Sequence, residues 1–146
     1  MKKTQTPPGL PLSGEERTGS PLTRGYGGVA FADYLTAHLK TPFKYGVNDC
    51  VLFAVRWAEL ASGKKYMPKV TWTNKAEAHR AIADMGGLEA AFDRNLTRIN
   101  PNFARDGGLA IAGGIAYLFS GAHICCPGKD GLVFKSRLEA TCAWFY

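Results

Sequence analysis

The sequence predicts an α+β fold, with N-terminal helices packed on a C-terminal antiparallel β-sheet. Two observations carry this. Apolar residues recur at helical spacing through about Arg94, and beyond Pro101 they fall into short glycine-punctuated runs rich in branched and aromatic side chains. No internal repeat interrupts that order.

Residues 1–28 hold four of the eight prolines and six of the glycines with little periodic apolar signal, so they are expected to form an extended arm. Leu10, Leu12 and Leu22 are its natural anchors on a neighbouring protein. Residues 29–146 then make one domain, about 118 residues, enough for a single two-layer core.

Within that body, VAFADYLTAHLK places Phe31, Leu35 and Leu39 on one helical face, closed by Pro42. His38 lies at the margin of the stripe and reads as a surface or core-edge residue. Asn48 or Asp49 can cap a second helix whose first turn contains Cys50, and Gly63 followed by two lysines ends it. From Val51 to Ala61 this helix is apolar nearly all round, which makes it central. Asn74 and Glu77 have capping-box spacing and open a third helix that Gly86 and Gly87 stop, with His79 in a polar, solvated stretch. A short helix, Leu88 to Arg94, follows. Strands are expected at Leu109–Ala112, Ile115–Ser120, Ala122–Cys126, Leu132–Lys135 and Thr141–Tyr146, separated by Gly-Gly, Ser-Gly and Pro-Gly-Lys-Asp-Gly turns.

Eighteen Lys and Arg against 12 Asp and Glu give a net charge of +6, but the basic residues are scattered, and charge alone does not predict a nucleic-acid surface. No apolar run reaches the ~20 residues of a membrane span, and no apolar stretch follows Lys2 and Lys3, so a soluble protein made in a cytoplasm is expected. The four cysteines then read as thiols. Adjacent Cys125 and Cys126 would point to opposite faces of a strand, which disfavours a shared metal; no cofactor is expected.

One constellation could carry chemistry. A cysteine in the first turn of a helix meets free N–H groups and the positive end of the dipole, which lower a thiol pKa from about 8.5 and can also hold an oxyanion. Cys50 occupies such a position, although a small apolar core residue would occupy it equally well. His123, 73 residues downstream, is the one histidine in the strand region. It could serve as general base from a neighbouring strand or be a satisfied structural residue.

Tyr45-Gly46 through Asp49-Cys50, running into an apolar helix, resembles the nucleophile motif of the NlpC-type papain-like cell-wall peptidases. The body from Phe43 to Tyr146 is more closely similar to a family of small phage tail-region proteins within that superfamily. The pieces that carry this likeness are Gly46, Asp49, Cys50, Gly63, Gly86, Gly87, Pro127-Gly128, Asp130-Gly131-Leu132 and Ala143-Trp144. The resemblance implies an NlpC/papain-like domain with Cys50 facing the sheet. It also implies a catalytic histidine at the start of the second strand of the sheet, where this chain has Gly114 or Ile115. Val51-Leu52 replace the usual Ser-Gly after the cysteine, Gly107-Gly108 stand for Gly-Asp, and Phe43 stands for a tyrosine. The function so implied is a virion component of the phage tail tip, catalytically impaired and assembled in the host cytoplasm, bound to tail hub and central fibre proteins through arm and surface. The alternative is an active cysteine peptidase or amidase cleaving peptidoglycan stem peptides during genome entry, with Cys50 as nucleophile and His123 as base.

Overall fold

A computed structural model describes residues 30–67 and 70–146. The arm expected over residues 1–28 lies outside the described residues. Four helices precede and flank the first of six strands: α1 (Phe31–His38), α2 (Cys50–Ser62), α3 (Lys75–Asp84), α4 (Leu88–Asn95), β1 (Thr97–Ile99), β2 (Leu109–Ala112), β3 (Ile115–Ser120), β4 (His123–Gly128), β5 (Gly131–Ser136) and β6 (Cys142–Phe145). The strands form one sheet in the order β1-β6-β2-β3-β4-β5, antiparallel at every pairing. The α+β class and its helices-then-strands order are therefore as the sequence patterns imply.

Helix α2 is the hub, as its all-round apolar composition requires. Asp49 caps it by accepting the Leu52 N–H at 2.9 Å, and Gly63 closes it in the left-handed region at φ 75°. Trp57 is fully buried against the β3–β4 face of the sheet with Phe53, Leu118, Cys125 and Trp144. Its indole N–H donates to the Tyr146 hydroxyl at 2.8 Å. Gly107, at φ 86°, brings backbone against this pair, where a Cβ would overlap both the indole nitrogen and the hydroxyl.

The opposite face of the sheet carries a second apolar set, among them Ala110, Tyr117, Phe119, Ile124 and Cys126. Cys125 and Cys126 thus belong to different cores, as the two-residue period of a strand demands.

Several boundaries differ from the sequence reading. Helix α1 starts at Phe31 and buries Phe31 and Tyr34, whereas Leu39 lies past its end and is 45% exposed. The buried face is i, i+3 because Tyr34 packs its ring on Phe53 and Trp57 and donates its hydroxyl to the Phe53 carbonyl at 2.7 Å, a site that Leu39 cannot reach. Strand β1 was not anticipated: three residues with an exposed pattern give no alternation to read, and their partner is the chain's last strand, with Arg98 opposite Trp144. In α3 the capping box closes one residue early. Asn74 accepts from the Glu77 N–H at 2.9 Å, while Glu77 reaches back to the N–H of Thr73 at 2.8 Å. Among the described residues no helix is long and apolar enough to cross a membrane.

Candidate functional site

The loop before α2 is fixed by two buried polar residues. Asn48 donates its amide to the carbonyls of Thr41 at 3.3 Å and Pro42 at 3.0 Å. Asp49 is 3% exposed and uses both oxygens: Oδ1 takes the Leu52 N–H, and Oδ2 takes the Gly46 N–H at 2.9 Å and the Trp72 indole N–H at 2.8 Å. Gly46 sits at φ 78°, and a Cβ there would run into the Trp72 carbonyl oxygen. The Asp-Cys pair is therefore a clamp followed by a thiol: Asp49 pins the loop and the 70–72 segment, and Cys50 begins the helix.

Cys50 is half-buried and opens onto a cleft of about 850 Å³. Lys75, His79 and Ile82 of α3 line it, as do the β2–β3 turn at Gly113-Gly114 with Ile115, and Trp72, Tyr117 and Cys126. The thiol lies against the Ala116 backbone N–H, so residue 50 meets the sheet where β3 begins.

The electrostatics run against the expectation for a helix N-terminus. Burial pushes the Cys50 thiol above its ordinary value, and the neighbouring Asp49 carboxylate pushes the same way. The N–H groups of Ala116, Val51 and Cys50 itself act in the opposite direction and only partly offset this. Desolvation wins over the dipole because the sulfur is packed against both cores of the sheet rather than left at an open helix end. Cys126 is likewise pushed up to about 12, chiefly by burial and then by Cys50.

His123 is placed elsewhere. It opens β4 opposite Ser120 and Ser136, is exposed, and turns its ring edge-on to Phe134 at 6.1 Å. The β4 residues on the cleft are Cys126 and Pro127; Cys126 is three residues further on, ~10 Å along the strand and on the other face. Cys50 and His123 are thus brought to opposite ends of β4. His38 is held by α1, its Nδ1 2.8 Å from the Tyr34 carbonyl and its ring 4.3 Å from that of Tyr34. The imidazole that does line the Cys50 cleft is His79.

Sequence reasoning read His79 as solvated, and it is exposed. Its helical face was legible, because Lys75, Ala78, His79, Ile82 and Ala83 recur at i, i+3, i+4, i+7 and i+8 and all of them line the cleft. Trp72 left no signal: it lies outside any regular element, and its bond to Asp49 spans 23 residues.

Fold and site together define a class: a helix-on-antiparallel-sheet domain with a clamped Asp-Cys pair at the head of its central helix, facing the start of a strand. Residues 28–145 match the family model described as a domain of unknown function (DUF6950), and the chain belongs to that family. No curated protein and no solved structure matches it.

Proposed function

We propose that the chain is a non-hydrolytic NlpC-like domain serving as a structural component of a phage tail tip, bound to tail hub and fibre proteins. The non-hydrolytic part is supported by the residues beside Cys50: by the resemblance, the histidine of NlpC-type peptidases falls at Gly114 or Ile115, both of which line the cleft and neither of which accepts a proton. The raised thiol pKa supports it, since a protonated sulfur is a poor nucleophile. The tail assignment rests on the resemblance of the body to small phage tail-region proteins. The test has two arms. Purified protein incubated with peptidoglycan sacculi should release no more soluble peptide than Cys50→Ala, and antibody against the chain should label purified phage particles at the tail tip. Release that Cys50→Ala abolishes, or particles that lack the chain, would overturn the corresponding part.

A second reading, cleavage of stem peptides by Cys50, is favoured by His79 lining the same cleft. Under it His79→Ala would lose activity as Cys50→Ala does, and His123→Ala would not.

A further inference from the structure

We infer that the cleft beside Cys50 binds an extended acidic peptide segment of a partner protein, seated between Lys75 of α3 and Lys135 of β5. The charge pattern is one-sided. Lys75 and Lys135 are exposed on the cleft and have no ion-pair partner among the described residues. Its one carboxylate, Asp49, turns both oxygens to the Gly46, Leu52 and Trp72 N–H groups and is 3% exposed, so it offers a ligand nothing.

Beside the two cations the cleft exposes apolar side chains, Ile115 at 42% and Val133 at 43%. A free inorganic anion would satisfy the lysines and leave these side chains wet. A peptide in extended conformation alternates its side chains, so carboxylates can reach the lysines while apolar residues cover Ile115 and Val133. The volume of about 850 Å³ accommodates a few such side chains. Nucleic acid fits less well: a strand needs cations spaced along its phosphates with bases stacked between them, and two lysines, one from α3 and one from β5, do not make a track. The inference rests on the non-hydrolytic reading in one respect, that the bound peptide stays intact.

The test is fluorescence anisotropy of a labelled peptide alternating leucine and glutamate, titrated with the full chain. We expect saturable binding, weakened about tenfold or more in the K75E/K135E double variant and weakened by added salt. A peptide with glutamine in place of glutamate should bind no better to the wild type than to that variant. Because two substitutions could disturb folding, a charge-swapped peptide of leucine and lysine supplies the rescue: it should bind the double variant more tightly than the wild type. Equal binding of the acidic peptide by both proteins, no binding at all, or a labelled oligothymidylate that binds more tightly than the peptide would overturn the inference. Chromatography of the peptide afterwards separates the two claims, since binding followed by cleavage would uphold the ligand class and sink the non-hydrolytic reading.

Discussion

Removing the Asp49 carboxylate should destabilise the domain far more than loss of a surface helix cap. In Asp49→Ala, the Leu52 N–H and the Trp72 indole N–H are buried donors that lose their acceptor, and the Gly46 N–H loses its own in a half-buried position. An orphaned buried donor costs about 1–3 kcal/mol, so the sum is expected at about 3–5 kcal/mol, against the ~1 kcal/mol typical of an exposed cap. That is a large share of the ~5–15 kcal/mol by which domains are stable. Asp49→Asn keeps an oxygen for Leu52 but turns an NH₂ toward the Gly46 and Trp72 donors, and should cost about 2–4 kcal/mol. Trp72→Phe removes one of those donors. Combined with Asp49→Asn it should therefore show a coupling of about 1–2 kcal/mol relative to the sum of the singles. Urea unfolding followed by circular dichroism gives each value, provided the slope m is shared. A cost under 1 kcal/mol for Asp49→Ala, or additive singles, would refute the clamp.

Two further outcomes follow from the same geometry. Alkylation of Cys50 by iodoacetamide needs the thiolate; since burial and Asp49 favour the neutral thiol, its rate should rise only above the usual thiol range near pH 8.5, and Asp49→Asn should move that rise to lower pH, read by mass spectrometry of the modified peptide. Trp57→Ala deletes a fully buried indole at the centre of α2 and should cost about 3–5 kcal/mol in thermal or urea unfolding, with an unshifted midpoint contradicting the hub role of that helix.

How much could be read beforehand depended on whether the determining contact was local. Helix α2, a cap at Asn48 or Asp49 and its Gly63 stop are set by neighbours in sequence and were legible in order and type, while the choice of Asp49 over Asn48 was not. The hairpins from β2 to β5 were legible too, because glycines mark their turns and the apolar runs between them are short. Strand β1 and the clamp on Asp49 were not, since each is decided by a partner distant in sequence: Phe145 for Thr97, and Trp72 for Asp49. The site was half legible. Position of the thiol followed from capping chemistry, but its ionisation did not, because the helix dipole is a local term and desolvation depends on which strands pack over the sulfur. His123 was the natural histidine to consider by sequence region, and only the direction of β4 puts it at the other end from Cys50.

The adjacent sulfurs of β4 have a consequence for how such a chain can vary. Cys125 serves one compartment and Cys126 the other, so inserting or deleting a single residue ahead of them would deliver each side chain to the wrong side, along with Ile124. Length changes in this strand are therefore tolerable only in steps of two, and its tip is no free insertion point either, since the Gly121 N–H donates to Asp106 at 2.7 Å and the Gly121 and Ala122 carbonyls accept from Arg137.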